Sequence, residues 1–396
     1  MHELYGRHAN VFTGERCAPS RQRGVVAVLT LVLLFVMVGF AALTIDVGAM
    51  YNTRGDLQDA ADSAALAAAA ALTTDEMMAV RMDNGSIDSV EADGHFSAHT
   101  YSQSNPSFGR TATYLQTSDI NFGWLDLLSS NSPVIVGVAG EDVNAVTVTA
   151  RRTSESSNGP LDAMFSRIFG TNSLEVTATA TASFDDRISG FDTNLEPGML
   201  PFTIHENLYN QYLSSGDDDY SYDGDDSTIS SGSDGVREVN LFPHGTAPGN
   251  FGILNIGTPN QGTPALRNDI ENGVDPEDFE AETGSAILTF WENGSPTTYQ
   301  ITGNPGMHAS LESSIMQRQG EVVGYFLHNN YVEQGANATY TITRVVFARV
   351  MDVQLNGPPS QRGIFLQPTS QVGGGVHISV DAPSSNGEAG RLVISR

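Results

Sequence analysis

The sequence contains no lysine: all nineteen of its basic residues are arginines, set against 46 acidic residues. This absence excludes the sites that need a lysine, among them the phosphate-binding P-loop, Schiff-base enzymes and Ser-x-x-Lys hydrolases. The formal net charge of −27 also argues against nucleic-acid binding, which needs a basic surface. The sequence therefore predicts neither a lysine-dependent enzyme nor a nucleic-acid partner.

Cysteine and the common catalytic patterns are also scarce. The single cysteine, Cys17, precludes an intrachain disulfide, and it lies before an apolar run rather than after one, unlike a lipid-anchor cysteine. The chain has no G-x-S-x-G and no H-E-x-x-H pattern, so the usual hydrolase and zinc-protease sites are missing. His205 and His244 stand beside apolar runs, and we interpret both as structural. We expect a protein that is not an enzyme.

One long apolar run stands out in this acidic chain. Val25 to Ile45 comprises 21 residues without a charge. As a helix it would be about 31 Å long, the thickness of the hydrocarbon core of a bilayer. A secretory signal peptide has a shorter apolar core followed by a small-residue cleavage site, and the run shows neither feature. We therefore predict a single transmembrane helix at 25–45.

The charges on either side of the span predict its orientation. Residues 1–24 hold four arginines and two glutamates, a net charge of +2, whereas the residues after the span hold 15 arginines and 44 acids, a net charge of −29. Positively charged flanks stay in the cytoplasm. We expect a cytoplasmic tail at 1–24, a span in the inner (cytoplasmic) membrane, and residues 46–396 in the periplasm or outside the cell.

A helical pattern continues beyond the span. Within Ile45–Leu72 only Gly48 and Gly55 interrupt it. One face carries apolar residues at steps of three or four, namely Leu57, Ala61, Ala64, Ala68 and Leu72. Alanine buries little area, but small side chains let helices approach closely. Three interpretations stay open: a run that merely favours helix, a self-association surface between copies of the 45–72 helix, or a surface for the chain's own globular part.

The same stretch resembles a known module. Its features are Arg23-Gly24 before the span, Asp46 and Gly48 at the end of the span, and the run LQDAADSAALAAA after it. Together they resemble, over residues 22–72, the N-terminal module of TadG-like proteins, which belong to the tight-adherence (Flp pilus) assembly machinery. A second block, Val146 to Phe184, is similar to the region that follows in such proteins. The resemblance implies an envelope protein whose partners are pilus-assembly or pseudopilin-like proteins.

Two features of such proteins are missing from this sequence. Some family members carry a von Willebrand-type domain with a metal-binding D-x-S-x-S loop after a buried strand, and the sequence contains no such strand and loop. A pilin-type processing site has glycine before the cut and glutamate five residues later, but the fifth residue after Gly24 is Leu29. We therefore expect the chain to keep its anchor.

Composition divides the exported region and predicts its fold class. We expect an extramembrane continuation of the helix over 46–80, an α+β unit over 81–190, an acidic Ser/Asp/Gly linker over 191–235 and a β-rich C-terminal unit over 236–396. The predicted fold class is α+β, with a long N-terminal transmembrane helix that extends into an exported, β-rich, acidic region of one or two α+β units.

Local patterns predict several elements within these units. Leu161–Phe169 is typical of a short helix, and Asn293-Gly294 predicts the turn of a hairpin. In Leu174–Phe184 apolar residues alternate with threonines, which indicates a half-buried strand. Further strands are predicted at Ala112–Leu115, Val134–Val138, Ala145–Arg151, Val322–Leu327, Ala338–Gln354, Gly363–Leu366, Val376–Val380 and Leu392–Ser395.

The acidic run DDDYSYDGDDSTIS carries the strongest metal signal. Its candidate ligands are Asp219, Ser221, Asp223 and Asp225. With Gly224 at the sixth position they match the first half of a calcium loop, but Ser230 stands where the bidentate glutamate belongs. A disordered acidic linker and an ordinary surface loop are the alternatives. Ca²⁺ is the one cofactor that the sequence suggests, at the weak affinity of extracellular modules.

A second, weaker metal pattern is Glu91, His95 and His99, which lie four residues apart. On a helix they would line one face and could hold zinc. Gly94 falls inside that helix and no further ligand is evident, so we interpret them as exposed polar residues.

The sequence thus supports two functional hypotheses. The first is a non-enzymatic, single-pass envelope protein of a tight-adherence (Flp-type) pilus assembly or secretion apparatus, which anchors an exported interaction domain. The alternative is a membrane-tethered, Ca²⁺-dependent adhesin or binding protein unrelated to pilus building.

Overall fold

The computed structural model describes residues 22–128, 132–195, 198–224, 226–243, 249–257, 262–334 and 337–395. Within them the chain is α+β, as predicted, and a long N-terminal helix precedes a β-rich region. The helices α1 to α7 span Gln22–Ala69, Asp75–Arg81, Ile87–Gln103, Glu206–Ser215, Thr263–Asn272, Pro276–Thr283 and Glu312–Met316.

The strands in the described residues are numbered in the same way. Strands β1 to β11 span Ile120–Gly123, Ala145–Arg152, Leu161–Asp162, Ser173–Leu174, Val176–Asp185, Ile188–Asp192, Met199–His205, Tyr220–Asp223, Thr228–Ser231, Val239–Asn240 and Phe251–Leu254. Strands β12 to β21 span Ile287–Thr289, Trp291–Glu292, Ser295–Pro296, Tyr299–Asn304, Val322–Gln334, Asn337–Gln354, Gly363–Pro368, Gln371–Val372, Val376–Ile378 and Ala389–Ser395.

The described residues divide into two compact units. The first consists of 22–52 and 161–174, and the second of 53–160 and 175–395. Helix α1 contributes residues to both units, since it is continuous from Gln22 to Ala69.

The second unit contains a five-stranded sheet in the order β1-β2-β5-β21-β19. Strands β2 and β5 pair antiparallel along their length, from Ala145 opposite Ser183 to Arg152 opposite Val176. In β5 one face is buried and the intervening threonines are more exposed, which confirms the predicted half-buried strand. The buried residues of the alternating part are Val176, Ala178, Ala180 and Ala182.

The same unit contains a seven-stranded sheet in which β16 pairs with both β7 and β17. Strands β17, β15, β11, β7 and β16 therefore close into a ring. Both faces of β16 are buried: Tyr325 and Leu327 belong to one apolar cluster, and Phe326 between them belongs to another. A strand buried on both faces reads as a continuous apolar run rather than an alternating one, as VVGYFL does here.

The range 191–235, predicted as a linker, holds regular structure instead. It contains strand β7 within the ring, helix α4 and the hairpin of β8 and β9. The boundaries at 190 and 236 do not separate units either, because β21 pairs with β5, and β6 pairs with β12 and β20. Pairings between strands so distant in sequence leave no signal in local composition.

The helix that follows the span ends earlier than the predicted residue 80. Helix α1 ends at Ala69, a 3₁₀ turn covers Ala70–Thr73, and Thr74 adopts an extended conformation. The Thr74 side chain then accepts a hydrogen bond from the backbone N–H of Met77 and caps α2. The alanines favour helix up to that point, but a threonine cap starts a new one.

Other local predictions have mixed outcomes. The hairpin is confirmed: Trp291 pairs with Pro296, and both Asn293 and Gly294 have positive φ, as its turn requires. The strand at 112–115 is not formed, and 134–138 contributes a single bridge from Ile135 to Trp124. Leu161–Phe169 is a short strand followed by a 3₁₀ turn rather than an α-helix.

The alanine face of α1 is buried inside the second unit. Six alanines are fully covered, namely Ala60, Ala61, Ala64, Ala65, Ala68 and Ala69. Their neighbours identify what covers them: Gln58 donates to the backbone oxygen of Thr179 in β5, and Asn105, beyond α3, donates to Ser63. Of the three interpretations of this face, the structure therefore favours packing against the chain's own fold, and these alanines are not free for a second copy.

Gly94 in helix α3 lies close to helix α1 and to the ring of Phe122. A Cβ atom at this position would overlap the ring of Phe122 and lie 3.1 Å from the backbone oxygen of Ala68. We predict that Gly94→Ala lowers the free energy of unfolding by about 1–3 kcal/mol, because the buried Phe122 ring must move, and the Ala68 backbone must shift slightly, to admit the methyl group. Urea unfolding of the detergent-solubilised protein, followed by tryptophan fluorescence, measures the change.

Gly55→Ala is the matched control for this substitution. Gly55 lies in exposed helix and a Cβ there would meet nothing within 4 Å. Its replacement should stabilise the helix by about 0.5–1 kcal/mol, since glycine is the more flexible residue in the unfolded chain. A Gly94→Ala protein as stable as the parent would contradict the close contact described here.

Candidate functional site: the membrane helix and its anchor loop

The first half of helix α1 presents apolar side chains to its surroundings. Large apolar residues from Val25 to Val47 are exposed around the helix. Among the described residues, Gly24–Thr73 is the one helix that is long and apolar enough to cross a membrane. A helix that is apolar all round is suited to lipid rather than water.

Asp46 is the first charged residue after this apolar run, and it is only 2 % exposed. Its carboxylate accepts hydrogen bonds from three successive backbone N–H groups, those of Met164 at 3.0 Å, Phe165 at 3.1 Å and Ser166 at 2.6 Å. The hydroxyl of Ser166 donates a fourth, at 2.5 Å. A buried carboxylate is costly unless hydrogen-bonded, and these four donors satisfy it.

The donors belong to residues 161–174, which we call the anchor loop. Leu161 pairs with Leu174 and Asp162 with Ser173, so the two ends of the loop meet as a short hairpin. The tip is a 3₁₀ turn, Ser166–Phe169, which ends at Gly170 with φ of 89°. The Asp46 carboxylate thus lies at the N-terminal end of this turn, where free N–H groups and a partial positive charge favour an anion.

The two parts of the first unit are therefore joined by one buried acid. The loop is 118 residues from Asp46 in sequence, and these bonds fix it to the helix one residue beyond the apolar run. The Ser166 hydroxyl is one of the four donors and is bound to the carboxylate at 2.5 Å. The arrangement is a mechanical clamp between the apolar helix and the anchor loop.

Asp46 is one of the residues that carry the resemblance to TadG-like proteins, but the sequence does not indicate what it binds. A lone carboxylate at the end of an apolar helix is expensive without partners, which is the signal for a clamp. Nothing local indicates that the partners are residues 164–166, because three of the four donors are backbone N–H groups, which every sequence offers, and the fourth is a single serine hydroxyl.

The calcium candidates lie on or beside the β8–β9 hairpin. Asp219 immediately precedes β8, and Ser221 and Asp223 are part of it; the Ser221 hydroxyl is hydrogen-bonded to that of Ser230 at 2.9 Å. Asp225 lies outside the described residues. Across the described residues no group of three or more His, Cys, Asp or Glu side chains is close enough to hold a metal. Calcium binding stays a prediction.

Other carboxylates hold this acidic segment together. Asp218 accepts from the backbone of Asp234 and Gly235, and the buried Glu238 accepts from the backbone of Asp219 at 2.9 Å and Tyr220 at 3.2 Å. Burial raises the pKa of Glu238 to about 8, against the pull of those two hydrogen bonds. Glu238 lies beyond the acidic run, and no local pattern marks it as a residue of this segment.

The remaining candidates have structural surroundings. Glu91, His95 and His99 do lie on one helix, α3, but His95 packs against the ring of Phe122 at 5.7 Å. His205 accepts a hydrogen bond from the backbone of Asn207 and caps α4. His244 lies outside the described residues.

The second unit has an open cavity of about 850 Å³. Arg81 lines it, donates to the backbone oxygen of Leu72 at 3.0 Å and lies 5.5 Å over the ring of Phe184. Burial lowers the pKa of Arg81 to about 10, and the charge of Asp186 opposes that shift. Asp186 also accepts a hydrogen bond from the hydroxyl of Ser384, another lining residue, at 2.6 Å.

The clamp predicts that the anchor loop is protected from proteolysis while Asp46 binds it. Asp46→Asn should loosen the loop backbone, so that trypsin can cut after the exposed Arg167, because a neutral amide cannot satisfy four donors and its own NH₂ group faces N–H groups. We expect cleavage at Arg167 to become several-fold faster, as measured by gel electrophoresis and mass spectrometry of the fragments. Asp59→Asn, an exposed acid on the same helix, is the control and should leave the rate unchanged. Equal resistance of the Asp46→Asn protein would refute the clamp.

Glu238 predicts a pH dependence of stability. Its pKa is raised to about 8 in the folded protein from an ordinary 4.5, so between these values the folded state holds a proton that the unfolded state releases. Stability therefore falls as pH rises through this window, by at most about 1.4 kcal/mol per pH unit and by less where solvent screens the carboxylate. Glu238→Gln should flatten this fall, as measured by melting temperatures at pH 5 and pH 8. Glu277→Gln, which replaces an exposed acid, is the control. If the fall of melting temperature with pH is unchanged in Glu238→Gln, Glu238 is not its source.

Comparison with known proteins bears on the first half of helix α1 and the alanine face that follows it. Residues 24–71 match the family model described as putative Flp pilus-assembly TadE/G-like. No curated protein and no solved structure matches the chain. The matched range holds the apolar run, Asp46 and the buried alanines, so the residues of the clamp on the helix side lie within it. The chain carries, over residues 24–71, the N-terminal module of TadE/G-like Flp pilus-assembly proteins.

Proposed function

We propose that this chain is a non-enzymatic, single-pass envelope protein of a tight-adherence (Flp-type) pilus assembly or secretion apparatus. Helix residues 25–45 cross the inner membrane, the first 24 residues face the cytoplasm, and residues 46–396 form an acidic interaction domain on the other side. The observation that carries the proposal is the match of residues 24–71 to the TadE/G-like family on the same helix that exposes an apolar surface and ends it at a clamped aspartate.

The charge distribution supports the orientation. Arg7, Arg16, Arg21 and Arg23 precede the span, and the chain beyond it is strongly acidic, which is the asymmetry expected for a cytoplasmic N-terminus. The burial of the alanine face directs the search for partners to the exported surface, since that face is already used within the fold. The partners proposed are pilus-assembly or pseudopilin-like proteins.

The proposal predicts loss of pili when the anchor fails. Deletion of the gene in its native host should abolish piliation and adherence, and the full-length protein should restore both. Val36→Arg places a charge at the centre of the span at a cost of about 2.5–3.5 kcal/mol, and should fail to restore them. Tyr51→Arg, at an exposed site beyond the apolar run on the same helix, should restore them.

Crosslinked full-length protein should co-purify with pilus-assembly components. If it purifies alone and deletion leaves piliation unchanged, the proposal is wrong.

The single cysteine gives a direct test of orientation. A membrane-impermeant maleimide applied to intact spheroplasts should leave Cys17 unlabelled and should label it after the membrane is opened. In a Cys17→Ser protein, a cysteine introduced at the exposed Ser214 should be labelled in both conditions. The reverse pattern would overturn the topology and leave the pilus experiment to be judged separately.

A further inference from the structure

The anchor loop lies at a defined level of helix α1. Its residues Met164 to Ser166 are hydrogen-bonded to Asp46, one residue after the apolar run 25–45 ends. If that run fills the hydrocarbon core, about 31 Å at 1.5 Å per residue, then the clamp is at the boundary between hydrocarbon and lipid headgroups. The loop cannot move far from this level while the four bonds persist.

One side of the helix is covered even within the apolar run. Ala42 is 4 % exposed, although Leu43 and Ile45 beside it are exposed. In this unit the described residues outside helix α1 are those of the anchor loop. Ala42 is one turn, about 6 Å, closer to the N-terminus than Asp46, so we infer that the loop reaches below Asp46 along the helix, towards the acyl chains.

The loop is also suited to a lipid boundary in its polar groups. The main-chain N–H groups of 164–166 are bound by Asp46, those of Ala163, Gly170 and Thr171 are bound to oxygens within the loop, and unsatisfied backbone is what a bilayer excludes. Arg167 and Asp162 form an ion pair at 3.0 Å on the exposed side, where headgroups and water can solvate both. Met164, by contrast, is an apolar side chain that is 61 % exposed.

We propose that the anchor loop is a membrane-interface element whose Met164 side chain inserts at the headgroup–acyl boundary of a phospholipid bilayer. This inference rests on the proposed membrane span. Together the span and the loop give the first unit two attachments to the same bilayer. Two attachments fix both the tilt of α1 and its rotation about its own axis, which a span alone leaves free. Asp46 is the positioning residue for this contact, since it holds the loop at that depth.

Depth measurements in vesicles test the proposal. In full-length Cys17→Ser protein, a nitroxide is attached to Met164→Cys and the protein is reconstituted into phosphatidylcholine–phosphatidylglycerol vesicles. Its collision rates with oxygen, which partitions into lipid, and with a water-soluble nickel chelate report its depth. The reference labels replace exposed residues at four levels of the same helix, namely Val36, Phe40, Val47 and Tyr51. We expect the label at 164 to lie between those at Phe40 and Tyr51, close to that at Val47.

The outcomes separate this inference from the proposed function. If the four helix labels show no gradient of depth, the span itself is wrong. If they show the gradient and the label at 164 is more accessible to nickel than that at Tyr51, the loop is aqueous and this inference alone is overturned, which would leave the Met164 surface to a protein partner. If the label at 164 does face lipid, adding Asp46→Asn to the labelled protein should move that label into water.

The labelled protein must retain its clamp for these outcomes to count. Resistance of Arg167 to trypsin shows that it does. If Met164→Cys is cut there, Met164→Trp in a protein whose Trp124 and Trp291 are phenylalanine replaces it. Quenching of its fluorescence by lipids brominated near the headgroup supports the proposal, and quenching only by aqueous iodide overturns it.

Discussion

The hydrogen bonds of Asp46 are the constraint on which the membrane end of this protein depends. A carboxylate that follows an uninterrupted apolar run has neither the water nor the counter-ion that an exposed acid enjoys. Here three consecutive backbone N–H groups and one hydroxyl take their place. The acid is therefore tolerated only while the anchor loop is folded against it, and the loop is held only while the acid is ionised and present. Helix and loop stabilise one another although they are far apart in sequence.

The continuation of helix α1 solves a different problem with small residues. Leucines would bury more area, but small residues let α1 and α3 approach so closely that a Cβ atom at Gly94 would lie 3.1 Å from the backbone oxygen of Ala68. At such distances many weak dispersion contacts replace a few large side chains. The alanine-rich run in the TadE/G-like range is thus explained as a close-packing surface of the chain's own fold. Its neighbours include strand β5, through Thr179, and the segment after α3, through Asn105.

What could be predicted from the sequence was what depends on near neighbours. The apolar run, the alternation along β5 and the Asn293-Gly294 hairpin all follow from residue types at fixed short spacing. The predicted linker failed because Met199–His205, an apolar run flanked by polar composition, acquires its partners β11 and β16 from elsewhere in the chain. The clamp could not be predicted either, since its acceptor is a recognisable residue but three of its four donors are backbone groups without a sequence signature. Pattern alone could therefore locate Asp46 and not its role.

The shortage of basic residues explains why other carboxylates in this chain are bound in the same way as Asp46. With 19 arginines for 46 acids, ion pairs cannot serve every carboxylate, and this protein uses backbone N–H groups instead. Asp46 binds three of them, Asp218 and Glu238 two each across the acidic segment, and Glu312 two at Leu355 and Asn356. A backbone donor is fixed in place by the fold, so each such acid ties a loop to a defined position as a flexible ion pair would not. The acidic side chains are thus also a means of ordering loops, and Asp46 is the instance that lies next to the apolar helix.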